Sequence, residues 1–130
     1  MMPSQILILS YIAFIWMVIL HTFEEIACGI MEANIGPIHV TRSKYLMGAS
    51  VISTLNLGVL VMMVLGLPAG YYLGLFTSGV IGVLQALIHG IGYLREGNKA
   101  RNLGAGFYTS IPLAISGLIV FVQCVRLLTA

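Results

Sequence analysis

Charged residues are scarce in this chain: Asp, Glu, Lys and Arg make up 8% of its 130 residues, whereas 59% are hydrophobic. A soluble domain typically carries about 25% charged residues. The scarcity excludes a soluble globular domain and predicts a single integral membrane domain over residues 1–130. The net charge is only +2, and the basic residues are gathered at predicted loops and helix ends, so we expect no nucleic-acid partner.

Cysteine is also rare, with Cys28 and Cys124 near opposite ends of their predicted helices. In the topology predicted below they lie in opposite leaflets, beyond the reach of a disulfide, so neither reports a redox compartment. No basic segment precedes the first apolar run, and we expect this helix to be retained rather than cleaved as a signal peptide. No Gly-rich phosphate loop or Ser-His-Asp order is present, which directs attention to polar residues inside the apolar segments.

Four apolar stretches are long enough to cross a hydrocarbon core of about 30 Å, which takes about 20 residues of helix. They are residues 5–30, 44–67, 70–94 and 106–128. A short Gly-Leu-Pro-Ala-Gly turn joins the second to the third, so these two should form a tight hairpin. The predicted fold class is all-α, a four-transmembrane-helix bundle with antiparallel up-down topology.

Basic residues are distributed unevenly between the two predicted membrane faces. Those around the first and third loops outnumber the single one on the other face: Arg42, Lys44, Arg95, Lys99 and Arg101 against Arg126. Because cytoplasmic loops carry the excess of Lys and Arg, both termini are predicted to lie outside the cytoplasm.

The residues that are most costly to place in a membrane are His21, Glu24 and Glu25, within the apolar run of the first helix. An ionised carboxylate near the bilayer centre costs about 2.5–3.5 kcal/mol, so two in succession need a partner, a proton or a metal. At about 100° per residue, the three side chains share one helix face. This face is the predicted site.

Polar residues on the other helices are few, and their predicted depths are compatible with one shared pocket. Gln85 and His89 are four residues apart on one face of the third helix, in the half of the membrane that holds His21. Further candidates lie in the second helix, at the end of the third and at the start of the fourth. The residues predicted to bind substrate or to support the site are Asn56, Gln85, Arg95, Tyr108 and Thr109.

The spacing of the motif indicates metal binding. His21 and Glu25 have the i, i+4 spacing of the two ligands in the His-x-x-Glu-His helix of inverzincins. His89 would complete the His₂Glu set of a catalytic zinc, with one position open for water. Glu24, displaced by about 100° from Glu25, is predicted to be catalytic or a fourth ligand. Zinc is the first choice, and iron or manganese also suit these ligands.

Structural explanations for the same residues stay open. Glu24, Glu25 and Glu32 could lie at the cytoplasmic interface and pair with basic loop residues. His89 and Gln85 could each bond a neighbouring helix and do nothing else.

The third helix carries a small residue at every fourth position: Gly70, Gly74, Ser78, Gly82, Ala86 and Gly90. Such a strip lets another helix approach closely. The sequence predicts packing through this strip, within the bundle or across a homodimer.

The chain resembles the HXXEE family of small bacterial integral membrane proteins, named for the motif that reads His-Thr-Phe-Glu-Glu at residues 21–25 here. The likeness extends to Asn56, to His89-Gly90 and to residues 95–112, and so covers nearly the whole chain. Where relatives are expected to carry Pro-Gly ahead of Thr109, this chain reads Gly-Ala-Gly-Phe-Tyr. The resemblance implies a bacterial cytoplasmic membrane protein with this fold and motif, and supplies no reaction.

The leading functional prediction is a metal-dependent membrane enzyme, hydrolytic by preference, that acts on a lipidic or small hydrophobic substrate. The alternative is a small proton-coupled exporter that uses a membrane-embedded Glu of the first helix. A third reading is a non-catalytic accessory subunit. The expected partners are the lipid bilayer, a hydrophobic or lipidic small molecule and, in a homodimer, a second copy of the chain.

Overall fold

The computed structural model describes residues 4–29, 32–35, 37–96 and 106–129. Within these ranges, four stretches are long and apolar enough to cross a membrane: Gln5–Ala27, Arg42–Val64, Pro68–Ile91 and Tyr108–Thr129. A helix of 23 residues is about 34 Å long, which exceeds the roughly 30 Å of bilayer hydrocarbon. The predicted fold class, an all-α bundle of four transmembrane helices, is confirmed.

Three of the spans are continuous α-helices and one is composite. Helix α1 is Gln5–Ala27, α2 is Arg42–Val64 and α5 is Phe107–Thr129. The third span has three parts in succession: α3 (Pro68–Thr77), a π-helical segment (Ser78–Leu84) and α4 (Gln85–Glu96). The sequence pattern predicts one uniform α-helix for this span. A π-helical segment forms i→i+5 hydrogen bonds and changes the direction in which all later side chains point.

Local capping fixes the helix ends. The hydroxyls of Ser4 and Thr41 each accept a hydrogen bond from the backbone N–H three residues later, at 3.1 and 3.4 Å, and so cap α1 and α2. Gly66 after α2 has φ 69°, in the left-handed region that favours glycine, and Pro68 begins α3. The short connection between α2 and α3 is compatible with the predicted antiparallel order.

A β-hairpin connects α1 to α2, where the sequence analysis predicts only a loop. Strand β1 (Ala33–Ile35) pairs antiparallel with β2 (Ile38–Val40), and Ala33 lies opposite Val40. The β-branched residues Ile35, Ile38 and Val40 in the two strands favour this extended structure.

The bundle exposes large apolar side chains and also buries several polar ones, which suits a lipid environment. Ile6, Trp16 and Leu94 are 67%, 59% and 82% exposed, respectively. The buried polar side chains are His21, Asn56, Thr77, Ser78, His89 and Ser110. A soluble protein has few large apolar side chains exposed together, so the exposed surface and the span lengths together indicate a multi-pass membrane protein.

One face of α1 lies at the centre of the bundle and leads to the predicted site. Leu7, Tyr11, Phe14 and Val18 are buried at alternating spacings of four and three residues, as one face of a helix requires. His21 continues the same spacing and is also buried. The packing of α1 against α5 therefore carries His21 into the interior.

The small-residue strip of the third span is used inside one chain. A Cβ placed on Gly82 would lie only 3.0 Å from the Cα of Gly117 in α5, and one on Gly74 would collide with Met63 of α2. A Cβ on Gly90 would meet nothing within 4 Å. The close approach predicted for the strip thus occurs between helices of one bundle at Gly74 and Gly82. The homodimer stays a prediction, and these two positions are not available for its interface.

The orientation in the membrane stays a prediction that cysteine labelling can test. In a Cys28→Ser background, which removes the exposed native thiol and leaves the buried Cys124, a cysteine at Pro68 should react with an impermeant maleimide in intact cells. A cysteine at Asn98, which lies outside the described residues, should react only after permeabilisation. Labelling of the Asn98 position in intact cells would contradict the predicted orientation.

Candidate metal centre

The structure brings together the three predicted ligands. His21 and Glu25 lie one turn apart on α1, and His89 reaches them from α4. The Nε2 atoms of His21 and His89 are 3.6 and 3.5 Å from Oε1 of Glu25, and the ligand atoms all lie within 4.8 Å of one another. Two atoms that are each about 2.1 Å from a tetrahedral ion lie about 3.4 Å apart. The three side chains are therefore close enough to bind one metal ion.

The ring of His21 is held in a defined orientation by Thr109 at the start of α5. Nδ1 of His21 is 2.9 Å from the Thr109 hydroxyl, and that hydroxyl donates its proton to Glu24. A hydroxyl that donates to a carboxylate accepts from its other neighbour, so Nδ1 carries the imidazole proton. The lone pair of Nε2 then faces Glu25 and His89, as a metal ligand requires.

Glu24 lies behind the cluster, not among the ligand atoms. Its Oε2 accepts hydrogen bonds from both the backbone N–H of Thr109, at 3.1 Å, and the Thr109 hydroxyl. That N–H belongs to the first turn of α5, where unpaired donors and the helix dipole favour a negative charge. The glutamate predicted to be catalytic is thus placed as a cap for α5, with Thr109 between it and His21.

Both carboxylate oxygens of Glu25 have defined neighbours. Oε1 faces the two histidines, and Oε2 accepts a hydrogen bond from the hydroxyl of Tyr45 in the first turn of α2. Tyr45 is not among the site residues predicted from the sequence. Its position beside Lys44, at the predicted membrane border, was the available signal.

Gln85 bridges the two histidines from one turn before His89. Its Nε2 is 3.1 Å from Nε2 of His89 and 3.5 Å from Nε2 of His21. Gln85 thus contacts the same ring nitrogen of each histidine that faces Glu25. Nδ1 of His89 is buried and has no hydrogen-bond partner within the described part of the chain. Both imidazoles direct their Nε2 atoms towards Oε1 of Glu25.

Gly106 allows α5 to approach both rings. Its φ is 85°, and a Cβ there would lie 2.7 Å from Cε1 of His21 and 3.1 Å from Cε1 of His89. Any side chain at this position would displace the imidazoles. Gly106 is not among the residues predicted from the sequence, although two glycines in three residues at the start of a predicted helix are a signal for close backbone approach.

The other predicted residues lie elsewhere. Asn56 donates to the carbonyl oxygen of Ile52 and accepts from Tyr11, whose hydroxyl also contacts Thr77. Tyr11 is ten residues before His21, about 15 Å away along α1. A buried amide in a membrane needs hydrogen-bond partners. Asn56 therefore connects α1, α2 and α3 at a different depth from His21 and is not part of the cluster.

Two further predictions receive no support from a contact at the cluster. The side chain of Tyr108 is 78% exposed, so the prediction that it belongs to the site stays a prediction. The side chain of Arg95 lies outside the described part of the structure, although its backbone belongs to α4.

In the structural alternative, the glutamates of α1 pair with basic loop residues at the membrane interface. Among the described side chains, no contact of Glu24 or Glu25 supports this alternative. The ion-pair partners of Glu25 are the two histidines, and Glu24 bonds Thr109. Lys44 instead donates to the carbonyl oxygen of His39 at 3.2 Å.

A cavity of about 520 Å³ lies beside the cluster, between α1, α2 and the π-helical segment. His21, Glu25 and Gln85 form part of its wall, and Lys44 lines it as well. Most of the remaining lining is apolar and comes from Val18, Val40, Ile52, Val80, Ile81 and Leu113. Ile52 and Val80 of this wall are 36% and 42% exposed, so the cavity is not fully enclosed.

The contact between Thr109 and His21 yields a prediction about metal affinity. Thr109→Val removes the hydroxyl that orients the His21 ring while keeping the shape of the side chain. We expect metal affinity to fall about 10- to 100-fold, as is typical when a partner of a ligand is lost. Titration with a competing chelator measures this. Thr109→Ser, which keeps the hydroxyl, is the matched control, and equal affinities for the two variants would contradict the assigned role.

Comparisons of the chain with protein-family models, with curated proteins and with solved structures find no match. Its chemistry must therefore be inferred from the geometry of its own residues.

Proposed function

We propose that the chain is a membrane-embedded metalloprotein in which His21, Glu25 and His89 bind one divalent transition metal. The observation that carries the proposal is the convergence of three ligand atoms within 4.8 Å of one another, from two helices. A His₂Glu set favours zinc, and iron or manganese are compatible with it. Such a set leaves one coordination position for water or substrate.

The neighbours of the ligands support a site built for metal binding. Ligating histidines nearly always donate their second ring N–H, and ligating carboxylates are hydrogen-bonded in turn. Thr109 accepts from His21, and Tyr45 donates to Glu25, whereas Nδ1 of His89 has no such partner within the described part of the chain.

The proposed reaction is a metal-assisted hydrolysis of a lipidic or small hydrophobic substrate. Bound at the cluster, the metal would supply a Lewis acid and an activated water. The adjacent apolar cavity would hold the substrate, and Tyr45 and Thr109 would keep Glu25 and His21 in place. Glu24 would act as a positioning residue through Thr109, because its carboxylate contacts Thr109 instead of the ligand atoms.

Elemental analysis of protein purified without added metal tests the proposal. We expect about one transition-metal ion per chain, and its identity would separate zinc from iron or manganese. A preparation that is metal-free and cannot be loaded would contradict the metal site. Proton-coupled substrate binding by such a preparation would favour the exporter, in which Glu25 exchanges protons beside the cavity. Membership of the HXXEE family is part of this proposal and rests on the motif.

A further inference from the structure

We propose that the cavity beside the cluster binds a single-chain amphiphile with an anionic head group. The head group lies at Lys44, and the apolar chain runs along α2 towards Ile52. This inference names the substrate class of the proposed function and rests on that function. Binding of the amphiphile itself requires no metal.

The α2 wall of the cavity has an ordered composition. Lys44, Gly48 and Ile52 are spaced four residues apart and line the cavity from one helix face. Lys44 and Ile52 are eight positions apart in the chain, which corresponds to about 12 Å along the helix. A Cβ on Gly48 would meet nothing within 4 Å, so the absence of a side chain there leaves room inside the cavity.

The opposite wall is apolar and reaches the outside of the bundle. It is formed by Val18 of α1, Val80 and Ile81 of the π-helical segment and Leu113 of α5. A volume of about 520 Å³ falls in the range of roughly 300–1,000 Å³ that holds one small ligand. These dimensions favour one chain over a two-chain lipid, and the exposure of Val80 and Ile52 gives it a lateral route from the bilayer.

Lys44 supplies charge complementarity at one end. Its ammonium group donates to a neutral backbone carbonyl of His39, and no carboxylate lies in ion-pair range of it among the described side chains. The oxygens of nearby Glu25 are directed at the histidines and at Tyr45. A cation at the predicted membrane border, at the end of an apolar cavity, fits an anionic head group with its chain in the membrane.

Photo-crosslinking tests the occupant. The full chain is placed in phosphatidylcholine vesicles that contain a trace of long-chain fatty acid with a diazirine on its chain, and peptide mass spectrometry locates the adducts. We expect adducts on cavity-lining residues in the wild type. Gly48→Leu should reduce them about tenfold, because the leucine fills the space of the ligand.

Gly58→Leu is the matched control, since Gly58 lies on the same helix, has open space for a Cβ and does not line the cavity. Its labelling should equal that of the wild type, and melting curves should show that both variants are folded. Equal labelling of Gly48→Leu and Gly58→Leu would overturn the assignment of the cavity.

Two further arms test the head group and separate this proposal from the metal site. A long-chain alcohol with the same diazirine should label the wild type less than the acid does, and Lys44→Gln should remove the difference. Equal labelling by acid and alcohol in the wild type would overturn the anionic head group. Labelling by the acid should survive chelator treatment, whatever the metal content, and labelling that disappears with the metal would overturn the placement of the head group at Lys44.

Discussion

Replacing His21 or His89 by Ala, or Glu25 by Gln, should reduce the bound metal from about one ion per chain to almost none. If three ligands share roughly 12 kcal/mol of binding free energy, the loss of one costs about 4 kcal/mol, or about a thousandfold in affinity. Metal content per chain after dialysis, measured by mass spectrometry, checks this. Glu24→Gln should keep the metal, because an amide oxygen can still accept from Thr109.

His39→Ala is the control for loss of a histidine as such, because His39 is exposed on β2. It should retain the wild-type metal content. The same metal content in the wild type and in all three ligand variants would contradict the proposed site, and a proton-carrying Glu25 or a purely structural contact would then explain the cluster better.

Gly82→Leu should strongly destabilise the bundle. A Cβ at Gly82 already comes within 3.0 Å of the Gly117 backbone and 3.1 Å of the Phe14 ring, and the leucine adds three further carbons. Adding carbons to a closely packed core costs about 1–3 kcal/mol or more. The thermal midpoint in detergent should fall by many degrees, or the folded protein should fail to accumulate.

Gly90→Leu provides a matched comparison within the same strip, since a Cβ there meets nothing within 4 Å. This variant should keep the wild-type midpoint or raise it slightly, because leucine has a helix propensity about 1 kcal/mol better than glycine. Equal midpoints for the Gly82 and Gly90 variants would show that the close contact between the third span and α5 does not contribute to stability.

The metal ligands could be selected from the sequence because their signals are local or rare. The spacing of His21 and Glu25 places both on one helix face whatever the tertiary structure is. His89 is a polar residue in an apolar span at a similar depth, and few other residues could supply a third ligand. The role of Glu24 could not be predicted from its spacing, because this role depends on the position of the first turn of α5.

The sequence by itself determined that the chain has four membrane spans, because apolar runs of about 20 residues are stable only in lipid. It also determined which polar residues would be energetically unfavourable in lipid without a partner. Only the tertiary structure decided how those partners are distributed: Tyr45 to Glu25, Thr109 to Glu24 and His21, and Tyr11 to Asn56.

The physical reason is that lipid and the bundle interior are similarly apolar. In a soluble protein the hydrophobic pattern shows which helix face is buried, whereas here apolar residues such as Trp16 cover the outside and others such as Phe14 fill the core. The π-helical segment also rotates the side chains of Gln85 and His89 about the helix axis, and a uniform α-helical period does not include this rotation. The direction in which each helix faces its neighbours is therefore fixed by close packing at glycines such as Gly82 and Gly106 and by hydrogen bonds between helices, which exist only in the folded bundle.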